Sequence, residues 1–224
     1  MPLVQSGFTW LRQPVHTYAL NRKPQGQLPH ERGTKLPKCV PRIILSLGAN
    51  LTSVAGSPAD TLNAAIVSLE GHGAVIRATS KFYHTPAFPA GNGPDYINAA
   101  LECTAQWSPK ETLEVLHDIE HEFGRARIQR WGQRTLDIDL IAYDAVVLPD
   151  PVIHAQWRAL SLDAQMTHSP DRLILPHPRM QDRAFVLVPM ADIAPDWRHP
   201  IFERTVAQMR DALPQADTEA VREM

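Results

Sequence analysis

Two aspartates stand two residues apart inside an apolar run, Asp137 and Asp139 in RTLDIDLI, residues 134–141. On a strand, side chains two apart share one side of the sheet. The two carboxylates would stand together while Leu136, Ile138 and Leu140 fill the other face. Carboxylates so placed repel each other, and burial raises the cost, unless a cation sits between them. The pattern asks for a divalent metal. Just upstream, GRARIQRWGQR carries Arg125, Arg127, Arg130 and Arg134 with no acid among them. In isolation such a run is a solvated basic surface. Feeding directly into a paired-carboxylate strand, it suits a polyphosphate, with metal on the bridging oxygens and guanidinium forks on the others. Trp131, in the middle, can stack on a ring or a guanidinium. Further on, LILPHPRMQDRAFVLVP adds His177, Arg179 and Arg183. No G-x-x-x-x-G-K-[ST] occurs, so a nucleotide would be held by side chains rather than by a P-loop.

A third constellation lies in YHTPAFPAGNGPDYIN. If DYINAALE is a strand, Tyr96 and Asn98 share a face, an aromatic plate beside an amide that both donates and accepts. Thr85, Pro86 and Phe88 would close a pocket suited to a flat heterocycle with hydrogen-bonding edges. A bland alternative is that an aromatic and an Asn on a strand are simply core edge and surface.

The elements that must position these residues alternate between α and β from residue 42 onward. RIILSLGAN reads as a buried strand ending in a Gly-Ala-Asn turn. SPADTLNAAIVSLEGHG reads as a helix capped by Ser57, with Pro58 at its first position and Gly71 at its end. AVIRATSKFYHT and DYINAALECTAQW read as strands. SPKETLEVLHDIEHEFG is the clearest helix, since Ser108, Pro109 and Glu111 form a capping box and Leu113, Leu116, Ile119 and Phe123 an apolar face. Residues 149–171 read as a long irregular loop. Helices on a largely antiparallel sheet give an α+β sandwich.

Composition bounds the rest. At 224 residues and 44% hydrophobic, the chain can bury a good core. A formal net charge of −2 gives no global pull toward nucleic acid or membrane. There is no apolar run long enough for a membrane span and no secretory h-region. Cys39 and Cys103 form no CxxC pair, which favours a reduced, cytoplasmic setting. Residues 1–41 hold six prolines, six Lys or Arg and the single acid Glu31. They read as a poorly ordered extension preceding a single domain over 42–224.

RWGQRTLDIDLIAY, FYHTPAF with PDYINAA, IEHEFGRAR and LPHPRMQDRAFVLVP together resemble the 6-hydroxymethyl-7,8-dihydropterin pyrophosphokinases of folate synthesis, over about residues 42–196. The resemblance implies a ferredoxin-like sandwich that uses ATP with two Mg²⁺ ions. It moves a pyrophosphoryl group to the pterin hydroxymethyl oxygen and leaves AMP. It carries the metal ligands onto Asp137 and Asp139. ATP contacts fall on His117, Glu120, Arg127, Arg130, Trp131, Arg134, Arg172, His177 and Arg183. Pterin contacts fall on Thr85, Pro86, Phe88, Tyr96, Asn98 and Phe185, with Tyr96 and Phe185 as stacking plates. Arg125 and Arg127 lie on a catalytic loop that closes over the substrates. The small-molecule substrates are the expected partners, with no nucleic acid, membrane or obligate protein partner. The sequence departs from the family at Gln133, in a shortened Arg-rich loop, and in a connection over 149–171 that is longer than usual. The extension over 1–41 has no counterpart.

Three rivals differ in class. HDIEH, residues 117–121, matches the H-x-x-E-H zinc-peptidase pattern, but a five-residue match arises often by chance and no third ligand is placed. A DxD glycosyltransferase would use the carboxylates on a nucleotide sugar, but needs a larger nucleotide domain. A non-catalytic binding module is opposed by the presence of both aspartates and the full arginine set.

Overall fold

The computed structural model describes residues 40–87, 93–124, 135–161, 164, 168 and 170–224. The expectations for the N-terminal extension, for Phe88 and for the Arg-rich loop, including Arg125, Arg127, Arg130, Trp131 and Arg134, lie outside these residues.

β1 (Arg42–Ala49) is buried at seven consecutive positions. That is what a strand covered on both faces requires, and it explains the unbroken apolar spelling. It pairs antiparallel with β4 (Tyr96–Thr104) on one side and β5 (Asp137–Tyr143) on the other. β4 in turn takes β2 (Val75–Thr79) along its last residues and β3 (Tyr83–Thr85) along its first. The short β6 (Arg222–Glu223) covers the outer side of β3, so the strand order is β5-β1-β4-β3-β6 with β2 on β4.

One face of this sheet is covered by α1 (Pro58–Gly71) and α2 (Pro109–Glu122). Leu62, Leu69, Leu116 and Ile119 pack there on Leu45, Leu47, Leu101, Ile138 and Leu140. Both helices begin as the sequence predicts, with Ser57 and Asp60, and Ser108 and Glu111, exchanging the two hydrogen bonds of a capping box. A third helix, α3 (Pro151–Arg158), is followed by a 3₁₀ turn (Met180–Asp182) and then α4 (Ala184–Ile193). α4 covers the opposite face, packing Val186, Leu187 and Met190 near Ile44, Ala100 and Ile141. Val206 and Met209 of α5 (Val206–Asp211) extend that cluster, and α6 (Gln215–Glu219) leads into β6. The fold is an α+β, ferredoxin-like sandwich.

Three local expectations are corrected. Residues 149–171 are not simply a loop, because α3 fills 151–158. Asp150 caps it, accepting from the Val152 and Ile153 amides at 2.8 and 2.9 Å. Ile153 and Trp157, four apart, pack with Leu113 and Ile174. The Asp-Pro pair was the available signal, a cap followed by proline at the first helical position. Second, Gly48 and Ala49 belong to β1 rather than to a turn, since strands on both sides hold Gly48. Third, AVIRATSKFYHT is two strands. Ser80 separates them, giving its amide to Ala100 O at 2.9 Å while its Oγ accepts from Ala100 N at 2.8 Å.

The C-terminal segment buries His199, whose Nδ1 accepts from the Ile201 and Phe202 amides at 3.2 and 3.4 Å. Burial, reinforced by His154 and Arg158, pushes its pKa down to about 3. An unfolded histidine titrates near ~6.5. Below that pH the unfolded chain takes up a proton that the native ring refuses. Stability is therefore lost as pH falls from about 6.5 toward 3, by up to about 1.4 kcal/mol per pH unit from this group. Urea midpoints should decline over that range, and His199→Phe should flatten the decline; an identical slope in the variant would show that another group governs it.

Candidate active site

β1 lines up the two expected halves of the site. Gly48 is opposite Asn98 on β4 and Asp137 on β5, and Ser46 is opposite Ala100 and Asp139. Ile138 and Leu140 point into the core under α1 and α2. By strand alternation Asp137 and Asp139 share the other face, as their spacing predicts. Between them, the Ile138 amide donates to Glu120 Oε1 at 2.9 Å, so α2 grips β5 at the level of the carboxylates. His117 sits half-buried on α2, one turn before Glu120.

Asp139 is buried, and Arg183 Nη1 lies 3.9 Å from its Oδ2. That is an ion pair at the limit of contact. Burial pushes the Arg183 guanidinium down to about 10, opposed by Asp139 and reinforced by Arg179, so it remains charged at neutral pH. Its Cζ stands 5.5 Å from the Phe185 ring centroid, which brings an expected phosphate ligand against an expected stacking plate. Phe185 is in the first turn of α4 and only 7% exposed.

His177 is buried, and its amide donates to Ile141 O of β5 at 2.8 Å. Its Nδ1 accepts from the Arg179 amide at 3.2 Å, which places the ring proton on Nε2. Burial, then Arg183 and Arg179, hold its pKa well below the ordinary value, so it is a neutral donor. Arg172 is different. It is exposed and forked on Asp171, with both hydrogen bonds at 2.9 Å, so a phosphate there would compete with that carboxylate.

On β3 and β4, Asn98 donates its Nδ2–H to Thr85 Oγ1, and both side chains are buried. Tyr96 is half-buried one pleat away and Pro86 is exposed. The Ala87 amide donates to Asp95 Oδ1 at 3.3 Å, joining the chain on either side of residues 88–92. Two contributors escaped the sequence reading. A Cβ on Gly48 would lie 2.8 Å from Asn98 Oδ1 and 4.0 Å from Tyr96 Cδ1, so only glycine lets that amide lie across β1. Asn50 reaches Pro94 O at 3.0 Å and anchors the approach to β4. A glycine inside an apolar strand was the signal for the first, because it often marks a close approach. Among the described residues no three His, Cys, Asp or Glu side chains gather as a metal cage.

A family model described as 7,8-dihydro-6-hydroxymethylpterin-pyrophosphokinase (HPPK) matches residues 44–195. The chain belongs to the HPPK family. A 2-amino-4-hydroxy-6-hydroxymethyldihydropteridine pyrophosphokinase of Synechocystis sp. is 37% identical over 189 residues, covering 84% of this HPPK and 83% of the relative. The enzyme of the same name from Methylorubrum extorquens is 35% identical over 156 residues, covering 69% and 84%. In a crystal structure of Plasmodium falciparum HPPK-DHPS with SDX-DHP the fold recurs at a TM-score of 0.51 and 14% identity. That match covers 76% of this HPPK but 43% of the Plasmodium chain, so this HPPK spans less than half of its length. The matched residues contain both aspartates, His177, Arg183 and Phe185, whereas α5, α6 and β6 follow them. No helix among the described residues is long and apolar enough to cross a membrane.

Proposed function

We propose that this HPPK transfers the pyrophosphoryl group of ATP to the hydroxymethyl oxygen of 6-hydroxymethyl-7,8-dihydropterin, in the cytoplasm and with two Mg²⁺ ions. The products are AMP and the pterin diphosphate used in folate biosynthesis. The observation that carries the reading is the row Asn98–Gly48–Asp137, with Asp139 and Arg183 beside it. An amide reader for a heterocycle and an acid–guanidinium pair for a polyphosphate share one face of a rigid sheet.

The donor set fits the metal. Mg²⁺ prefers oxygen ligands and is commonly held by one or two carboxylates, with phosphate oxygens and water filling the remaining positions. Asp137 and Asp139 would hold it, and bound Mg²⁺ supplies Lewis-acid polarisation of the phosphoryl oxygens. Arg183 forks a phosphate and His177 donates from Nε2, stabilising charge as the bond between the α- and β-phosphates breaks. The new bond joins the hydroxymethyl oxygen to the β-phosphorus, the electron pair leaves with AMP, and the hydroxyl proton passes to water. Asn98 and Thr85 orient the pterin edge between the Tyr96 and Phe185 rings, with Pro86 and Phe88 at the rim. Arg125, Arg127, Arg130, Trp131 and Arg134 take the remaining phosphate and base contacts. His117 and Arg172 lie on the ATP side, and Glu120 acts there by fixing β5.

Nucleotide chromatography after incubation with ATP, Mg²⁺ and the pterin should show AMP formed one for one with pterin diphosphate. Chelation should stop it and added Mg²⁺ restore it. ADP as the product would overturn pyrophosphoryl transfer, and undiminished turnover in chelator would overturn the metal.

A further inference from the structure

We propose that α3 is a strut that sets the position of the His177–Arg183 segment before ATP arrives, with His154 as its positioning residue. The inference rests on the ATP reading given above.

The long connection containing α3 is a closed excursion. Its feet, Leu148 and Leu175, exchange backbone hydrogen bonds at 2.9 and 3.1 Å. From there α3 folds back onto the segment that follows. His154 is the buried residue of α3 and is fully enclosed. Its Nε2 lies 2.9 Å from Pro176 O. A carbonyl only accepts, so Nε2 carries the proton and donates it. One turn later, Arg158 O accepts from Arg179 Nη1 at 3.0 Å. The two contacts bracket His177, whose own amide is fixed to β5 at Ile141 O.

α3 is itself anchored on two sides. Ile153 and Trp157 pack with Leu113 of α2 and with Ile174. Arg158 lies with its Cζ 4.8 Å from the Phe202 ring centroid, and the His154 ring meets His199 edge-on at 6.2 Å. The strut therefore joins the segment to α2 and to the C-terminal residues at once.

The segment needs such bracing for an electrostatic reason. Arg179 and Arg183 oppose each other's charge, offset by ion pairs with Asp182 at 3.7 Å and Asp139 at 3.9 Å, so their placement depends on what holds the backbone between them. A brace that holds them in place reduces the ordering left to do on binding, which appears as affinity for the anionic substrate. The Thr85–Asn98 pair on β3 and β4 is not among the partners of these two braces, so the larger effect falls on ATP.

The test compares His154→Phe, which keeps a ring and deletes the donor, with His154→Gln, whose amide restores an N–H at the position of Nε2. His154→Phe should raise KM for ATP about tenfold and leave KM for the pterin within twofold, and His154→Gln should recover most of the ATP effect. Should His154→Phe fold poorly, Asp150→Ala frays α3 from its capped end and should raise KM for ATP about threefold. An unchanged KM for ATP in a folded His154→Phe or Asp150→Ala protein overturns the strut, as does an equal rise for both substrates. The wild type separates the two levels. If it forms no AMP from ATP, the ATP reading fails and the strut with it. If it turns over normally while the variants keep their ATP affinity, only the strut fails.

Discussion

Asp139→Asn should reduce turnover at least about a hundredfold, the scale of one lost electrostatic stabiliser in a phosphoryl-transfer site. The amide keeps the shape of the carboxylate but loses its charge and is a weaker metal ligand. Sequence alone suggests that removing one of two like charges would stabilise the metal-free protein. Arg183 reverses that for Asp139, because its buried guanidinium lies 3.9 Å away and would lose the strongest of its acidic neighbours, Asp137 and Asp182 acting on it more weakly. Breaking a buried pair in this way costs up to about 3 kcal/mol. Asp137→Asn leaves the Arg183–Asp139 pair intact, so it should lose comparable turnover with a much smaller loss of stability. Single-turnover rates and urea midpoints of both variants separate these effects. Near-normal turnover in either would remove that aspartate from the metal site.

Arg183→Met should be the most destabilising change at the site. It keeps a long apolar stem but removes the guanidinium that lies 3.9 Å from the buried Asp139 Oδ2. A loss of about 3 kcal/mol follows for the metal-free protein, together with the contact to the Phe185 ring. A charge-assisted hydrogen bond to phosphate contributes about 1.5–3 kcal/mol, so KM for ATP should rise between about tenfold and a hundredfold. Added Mg²⁺ should raise the melting temperature of Arg183→Met more than that of the wild type, because a cation then stands where the guanidinium was missed. An unaltered melting curve with an unaltered KM would mean that Arg183 is only packing.

What the sequence disclosed about this site was local. Two aspartates at a spacing of two, Tyr96 and Asn98 at the same spacing, and Ser-Pro capping of α1 and α2 each need only one element's geometry to be read. Partnerships between distant segments were not legible. Nothing in LPHPRMQDR says that Arg183 ends beside Asp139, and nothing in SLGAN says that Gly48 leaves space for an amide from β4. Arg172 was assigned by resemblance alone, and its neighbour Asp171 holds it by a contact that sequence adjacency permits but does not require. α3 was hidden for another reason. Its prolines and histidines suggest irregularity, while what stabilises it is burial of His154, Ile153 and Trp157 against residues far along the chain.

The placement of Gly48 between Asn98 and Asp137 also fixes a length. Adjacent strands stand about 4.8 Å apart, so the backbones of Asn98 and Asp137 are separated by two such steps, about 9.6 Å across the sheet. That span belongs to the backbone, since β1 is hydrogen-bonded along both edges there. No side-chain substitution can lengthen it. On the proposed reading of the site, the sheet would work as a ruler, selecting acceptors by how far the reactive hydroxyl stands from the recognised edge of the ring. Lengthening the carbon arm of the acceptor should therefore be resisted even where the pocket has room for the extra atoms.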